Sequence, residues 1–431
     1  MSIQEDYAAK RMSPQEAMNL LKNDDVIVVP TGVGEPPSLL HALSAVRRNF
    51  RNVKVAQILA MRKYEYFDCD TVENVQHTAF FFGGASRACG QGGWGDFIPN
   101  YFSEIPMLIE RDLIRSDVVF TMASPMDAHG YFSLSLGTDY TMAAVAKARA
   151  VVLEVNPNVP FANGNCHVHI SQVTALVESE DPILEVGLPK IGPVQEAIGK
   201  HVADMIADGS TLQIGYGGIP DAVVMQLTQK RDLGIHTEMI GDGIMTLLES
   251  GAVTNRKKSH LPDKMVATFA LGSKKLYNFL DRNPMMEMHP VNFTNDPYEA
   301  SKNDNLVTIN ATLQVDLLGQ CGSESLGDKP YSGTGGQVDF VRAANRSRGG
   351  KSFIVVPSTA KDDTISRVVP VLSPGTHLTT SKNDINYVVT EYGVAQLRGK
   401  SAKQRALEMI AITHPDFRPA LREAAKQMRL L

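Results

Sequence analysis

Residues 201–228 read HVADMIADGSTLQIGYGGIPDAVVMQLT, and residues 17–44 read AMNLLKNDDVIVVPTGVGEPPSLLHALS. Each stretch opens with an amphipathic helical period and turns at Asp208-Gly209 or at Asp24-Asp25. Each then runs a short apolar strand into a Gly/Pro loop, G-Y-G-G-I-P from Gly215 or G-V-G-E-P-P from Gly32, and on into a second helix. Two further blocks repeat in the same order. VVFTMASPMDAHG (118–130) matches LVTINATLQVDLLG (306–319), pairing Asp127 with Asp316 and Gly130 with Gly319. GTDYTMAAVAKARAVVLEVN (137–156) matches GGQVDFVRAANRSRGGKSFIVVP (335–357), pairing Asp139-Tyr140 with Asp339-Phe340. Three matches in one order predict an internal duplication.

The strands VIVV, VVLEV and FIVVP are continuous apolar runs that alternate with helical periods. Such runs are the mark of parallel strands covered on both faces. The expected fold is therefore α/β, with two tandem related domains, mainly parallel sheets and the active site in the cleft between them. A chain of 431 residues is also long enough for two cores. The Pro- and Gly-containing stretch ESEDPILEVGLPKIGP (178–193) is the expected join. It divides an N-terminal domain, 1–186, from a C-terminal domain, 187–431, whose last part from about Thr379 ends in a helix-rich charged tail. Ligands of such sheets bind beyond the carboxyl ends of the strands, where both Gly/Pro loops lie.

Composition narrows the function. The chain is 43% hydrophobic and 21% charged with a formal net charge of −5. That balance offers no basic surface for nucleic acid or an anionic membrane. No stretch reaches the roughly 18 apolar residues of a spanning helix. The N-terminus lacks the apolar run of a signal peptide. Cys69, Cys89, Cys166 and Cys321 are scattered without a CxxC, as expected of reduced thiols in a cytoplasmic protein.

The segment 211–243 is the richest in chemistry. Gly215, Gly217 and Gly218 allow close backbone approach to a ligand, and Pro220 can open a helix whose N-terminus favours anionic oxygens. A tight strand-to-helix turn without a ligand accounts for the same residues. Glu238 stands at the end of the next strand beside Gly241-Asp242-Gly243. A carboxylate on an apolar strand end is paired, hydrated or used. It could hold a ribose, as in a dinucleotide fold, but Pro220 occupies the place of the third glycine of that fingerprint. It could equally be a nucleophile. In the first copy the matching strand VKVAQILAM (53–61) has Ala56-Gln57 near that place, so only one copy keeps the acid. Gly333, Gly335 and Gly336 of YSGTGGQVDF (331–340) offer further backbone donors for an oxyanion. His167 and His169 have no further ligand types nearby, and Ser124 and Ser135 lack a G-x-S-x-G elbow. No metal site and no serine hydrolase is expected. Trp94 in GQGGWGDFIPNYF (90–102) reads as core or as a substrate wall.

GSTLQIGYGGIPDAV, GIHTEMIGDG, NATLQVD, YSGTGGQVDFVRAA and VVTEYGVAQLRGKS together resemble the acetyl-CoA hydrolase/transferase superfamily, and within it the 4-hydroxybutyrate, itaconate and butyrate CoA-transferases. The resemblance spans the whole chain. It implies a CoA-transferase that uses CoA and acyl-CoA (acetyl-, butyryl- or succinyl-CoA) as substrates, with a small carboxylic acid as partner and no tightly bound cofactor or metal. It also implies a homodimer. The glutamate of the E-M-I-x-D-G motif, Glu238, would form a glutamyl-CoA thioester in a ping-pong reaction. Gln213, Gly215, Gly217 and Gly218, with Gly333, Gly335 and Gly336, would line the CoA and supply oxyanion donors. Asn310, Lys361 and Glu391 match positions near the thioester or pantetheine. The acyl segment departs from the 4-hydroxybutyrate pattern: Thr31 replaces a histidine, and Met61, Arg62 and Arg87 lie in unlike surroundings. Cations there suit a dicarboxylate such as itaconate or succinate better than 4-hydroxybutyrate. The alternatives are an acyl-CoA hydrolase, or a protein that binds a CoA ester without turning it over.

Overall fold

A computed structural model describes residues 2–187 and 189–431; Leu188, inside the expected join, lies outside the described residues. The chain forms two compact units, residues 1–186, 266–294 and 331–335 in one and residues 187–265, 295–330 and 336–431 in the other.

The first unit is built on seven strands: β1 (Val26–Val28), β2 (Val53–Gln57), β3 (Val75–Ala79), β4 (Asp96–Phe97), β5 (Val118–Ala123), β6 (Ala150–Val155) and β7 (Ala175–Glu178). They are ordered β7-β6-β5-β1-β2-β3-β4 with every pairing parallel. All residues of β5 and β6 are buried, as their unbroken apolar runs require. Helix α1 (Pro37–Val46) follows β1, and α2 (Thr141–Lys147) precedes β6. Leu39 and Leu43 of α1 pack with Ile27, Val53, Val118 and Val152 in one core.

The first passage between the units falls between Val186 and Gly187. The chain then returns twice to the first unit, which a contiguous second domain 187–431 does not describe. Backbone hydrogen bonding gives the reason. Glu287 pairs in parallel with Asn163, and the Val291 N–H donates to Asp139 O at 3.0 Å. The second return, 331–335, is tied by the Phe102 N–H to Gly335 O at 3.2 Å.

The second unit starts with α3 (Pro193–Asp204) and continues through β8 (Thr211–Ile214), α4 (Gly218–Met225), β9 (Gly234–Ile235) and α5 (Asp242–Glu249). It goes on with β10 (Leu306–Ala311), α6 (Gln337–Arg346), β11 (Lys351–Val355), β12 (Tyr387–Thr390) and β13 (Gly393–Gln396), and ends in α7 (Ala402–Ala411) and α8 (Arg418–Gln427). Its sheet runs β9-β8-β10-β11-β12-β13, parallel except for the antiparallel β13.

The order β7-β6-β5-β1-β2 of the first unit recurs as β12-β11-β10-β8-β9 in the second. Ile27 pairs with Val118 as Leu212 pairs with Val307. The turn after the third repeated strand is the same in detail. Asp127 Oδ1 accepts the N–H groups of His129 and Tyr131, and Asp316 Oδ1 accepts those of Leu318 and Gln320. Gly130 and Gly319 close these turns at φ 87° and 89°. The duplication is therefore present down to single hydrogen bonds.

Candidate active site

Strand β9 is only two residues long and lies at the edge of its sheet. Beyond it the chain passes through His236 and Thr237, both fully buried, to Glu238. Thr237 ties this segment to the end of β8, because its hydroxyl oxygen accepts the Ile214 N–H at 3.2 Å. Glu238 is thus delivered beside the strand end from which the loop Gly215–Gly218 departs. Register also refines the comparison with the first copy. Ile27 faces Val55 as Leu212 faces Ile235, so the counterpart of Glu238 is Ile58, one residue past Gln57.

The Glu238 carboxylate is held by two donors. Its Oε2 accepts the Asn295 side-chain N–H at 2.7 Å, and the carboxylate also accepts a backbone hydrogen bond from Gly336. Position 336 has no room for a side chain, since a Cβ there would stand 1.9 Å from Oε2 and 2.4 Å from Asn295 Nδ2. Burial pushes the Glu238 carboxyl up to about 7, against the pull of these two donors. A carboxyl titrating near neutrality is ionised for part of the population and poorly solvated, the state expected of a nucleophile.

Other residues expected at the site fall into separate groups. Gln213, on β8, accepts the Asn310 side-chain N–H at 3.0 Å, so these two buried amides form a pair across β8 and β10. Gly215 approaches Ile309 O so closely that a Cβ would be 2.9 Å from it. Gly217 and Gly218 open α4. Of the stretch 333–336, only Gly336 belongs to the unit that carries Glu238, whereas Gly333 and Gly335 pack on Phe80 and Phe81 in the other. Glu391 accepts the backbone N–H of Ser358 at 2.9 Å and the Ser358 hydroxyl. Lys361 is exposed in a left-handed turn at φ 50°.

In the first unit the Thr31 N–H donates to Asp139 at 2.7 Å. Glu35, fully buried, gathers its neighbours: it accepts the Met61 N–H at 3.1 Å and the Gln57 amide at 3.1 Å, and it pairs with Arg62 at 3.2 Å. Burial raises the Glu35 carboxyl above its usual range, and the Met61, Gln57 and Arg62 donors pull it back. Arg87 donates from Nε to Tyr331 O at 2.7 Å, and its guanidinium lies 3.8 Å over the Tyr331 ring. Both arginines read from sequence as free cations are therefore engaged. Trp94 packs against the first unit's core and donates to Phe67 O at 2.8 Å. His167 and His169 make unrelated contacts, with Ala162 O and Ser171. Among the described residues no group of three His, Cys, Asp or Glu side chains is placed to hold a metal ion. No described helix is long and apolar enough to cross a membrane.

Asn295 is the residue that sequence reasoning missed. It lies 57 positions beyond Glu238, in VNFTND, and carries no motif of its own.

Comparison with known proteins fits this geometry. Residues 1–186 match the acetyl-CoA hydrolase/transferase N-terminal domain and residues 272–425 match its C-terminal domain. The chain is 51% identical to a succinyl-CoA:cyclohexane-1-carboxylate CoA transferase of Geobacter metallireducens, over 99% of this chain and 97% of that one. It is 43% identical to a 4-hydroxybutyrate coenzyme A transferase of Clostridium kluyveri, over 99% and 100% of the two chains. Among solved structures, RipA from Yersinia pestis superposes with a TM-score of 0.95 at 36% identity, covering 100% of both chains. A 4-hydroxybutyrate CoA-transferase from Porphyromonas gingivalis gives 0.86 at 37% identity, covering 99% and 100%. With both domain models matched and full-length relatives above 40% identity, the chain belongs to the acetyl-CoA hydrolase/transferase family and is an enzyme of its CoA-transferase kind.

Proposed function

We propose that this enzyme moves CoA between an acyl-CoA and a small carboxylic acid through a thioester on Glu238. The observation that carries the reading is the two-donor grip on that carboxylate. Asn295 holds Oε2 and the Gly336 backbone adds a second donor to the carboxylate, and in this reading Oε1 is the oxygen that attacks. Oε1 adds to the thioester carbonyl carbon, and collapse expels the CoA thiolate and leaves a mixed acyl-glutamyl anhydride. The thiolate then adds to the Glu238 carboxyl carbon. Negative charge develops on Oε2, which the preorganised Asn295 amide already holds. Collapse releases the first acid, which carries Oε1 away with it, and leaves glutamyl-CoA. A second carboxylate runs these steps in reverse and restores an oxygen to Glu238. Glutamate is a weak nucleophile, so binding energy from the remote CoA body is needed to drive the covalent step. Gln213, Gly215, Gly217, Gly218, Asn310, Lys361 and Glu391 remain the proposed CoA-binding residues.

The state of the first-unit arginines bears on the acid. In the segment that the resemblance assigns to the acyl group, Arg62 is neutralised by Glu35 and Arg87 is bonded to Tyr331. The Glu35 carboxylate offsets the attraction of Arg62 for a second substrate carboxylate, and the Tyr331 carbonyl takes up one donor of Arg87. This favours an acid with an apolar body, such as the cyclohexane-1-carboxylate named for the Geobacter relative, over itaconate or another dicarboxylate.

The test is to incubate the enzyme with acyl-CoA and no acceptor, digest it with trypsin and weigh the peptide 232–256. A CoA adduct that is absent in Glu238→Ala and discharged by added carboxylate is expected. CoA ester bound intact without an adduct would sink the covalent mechanism. Steady release of CoA without acceptor would make the enzyme a hydrolase.

A further inference from the structure

Edge strands expose a row of backbone donors and acceptors that must be met in some other way. Strand β9, which leads into Glu238, has its inner side on β8: the Gly234 N–H donates to Ser210 O at 2.9 Å, and the His236 N–H to Leu212 O at 3.0 Å. Its outer side is covered by the segment 252–258. The Leu233 N–H donates to Ala252 O at 2.9 Å, and Leu233 O accepts from the N–H groups of Thr254 and Asn255. From there on, side chains take over from backbone. Asn255 Oδ1 accepts the Ile235 N–H at 2.9 Å, and Lys258 Nζ donates to Ile235 O at 3.0 Å. An amide and an ammonium thus imitate the next strand of the sheet.

Lys258 is only 4% exposed, which is rare for an ammonium and costly unless the charge is used. Nζ also donates to Lys264 O at 2.6 Å, so it clamps the far end of the covering segment as well. Room for its stem is made by Gly234, where a Cβ would stand 2.4 Å from Lys258 Cγ. Asn255 is fully buried and takes a left-handed conformation, φ 60°, to turn its amide onto Ile235.

We propose that Lys258 is a positioning residue for Glu238: its ammonium, buried behind β9, fixes the Ile235 carbonyl and so the path on which the chain delivers the carboxylate to Asn295 and Gly336. The charge-assisted bond is stronger than an ordinary one and sits three residues from the nucleophile, in a segment with no other strand on that side. Gly234, Asn255 and Lys258 then act together, the first by leaving space and the other two by supplying the missing edge. The proposal rests on Glu238 as the nucleophile.

The experiment compares wild type, Lys258→Met, Lys258→Arg and the neighbouring control Lys257→Met, with kcat expressed per folded molecule and adduct formation on peptide 232–256 followed in time. Lys257 is exposed and pairs only loosely with Asp232, so its variant is expected to behave as wild type. Lys258→Met is expected to lose about a hundredfold in kcat and in the rate of adduct formation, the scale of a misplacement on the order of 1 Å. KM for acyl-CoA should stay unchanged, and Lys258→Arg should recover most of the loss. A wild-type rate per folded molecule in Lys258→Met, or a loss confined to KM, would overturn the proposal while leaving the nucleophile in place. No adduct on wild type would remove the nucleophile itself. If Lys258→Met does not fold, Asn255→Ser, which withdraws the other half of the edge, carries the comparison, and a wild-type kcat per folded molecule in it would equally overturn the proposal.

Discussion

The two units repeat one strand order, one register and one Asp–Gly turn, yet they differ in how three carboxylates of the first unit and Glu238 of the second are held. In the first unit each of the three accepts on both oxygens. Glu35 has Met61, Gln57, Arg62 and Tyr64 around it, Asp139 has Thr31 and Thr141, and Glu154 has Ser38 and Leu39. In the second unit Glu238 has two donors, the Asn295 amide and the Gly336 backbone. A second divergence lies at the middle of the sheet. Met122 faces Glu154 as Ala311 faces Val355, so the position whose carboxylate closes the N-terminus of α1 is occupied in the second unit by a valine. The N-terminus of α4 receives no such plug from β11. Duplicated scaffolds thus became a closed copy, in which these acids serve the fold, and an open copy, which carries the proposed nucleophile.

The open copy is the more fragile in function. Gly336→Ala should have the largest effect of the substitutions around Glu238, because its Cβ must displace Oε2 or Asn295. A loss on the order of a thousandfold in kcat is expected, at the upper end of what removing one oxyanion donor costs, with folding retained. A variant of near wild-type kcat would show that the carboxylate is not held as described. Asn295→Ala should follow at about a hundredfold. Here the pH profile separates electrostatics from simple misfolding. In the proposed mechanism the ionised carboxylate attacks, so kcat/KM should fall as pH drops through about 7. Asn295 is one of the two donors that hold this value down, so its removal should move the acidic limb to higher pH. A limb that stays in place or moves lower would break the assignment of Asn295.

How far the sequence reaches follows from the same contrast. Parallel strands buried on both faces leave unbroken apolar runs, and β1, β6 and β11 were readable for that reason. So was the Asp127–Gly130 turn, whose side chain bonds within four residues and leaves a local signature. Glu238 was legible as a charged residue on a strand end. What it bonds to was not, because the distance from Glu238 to Asn295 in sequence is unrelated to their distance in the fold. The segment TNRKKSH (254–260) has the composition of a solvated basic loop, and only the unpaired edge of β9 turns Lys258 inward. Arg62 and Arg87 show the reverse error. A cation in a segment expected to hold the acyl group invites an anionic substrate, but Glu35 and the Tyr331 carbonyl reached these two first.

The closed copy supplies the smallest and cleanest effect. Glu154 Oε1 accepts the Ser38 hydroxyl at 2.9 Å and Oε2 accepts the Leu39 N–H at 3.2 Å, at the positive end of α1. Glu154→Ala leaves that N–H buried without an acceptor, which should cost about 1–3 kcal/mol of stability and leave kcat per folded molecule unchanged. Glu154→Gln keeps an acceptor and should cost less. Burial raises the Glu154 carboxyl despite these donors, so the folded protein binds its proton more tightly than the unfolded chain does. Wild-type stability relative to Glu154→Gln should therefore be greatest below the unfolded value of about 4.3 and decline as pH rises through the folded value. Denaturant melts of the two proteins at several pH values would measure it. A difference that grows with pH would mean that the helix terminus favours the ionised form, and the first unit's N-terminus would then be an anion site in use rather than one closed by burial.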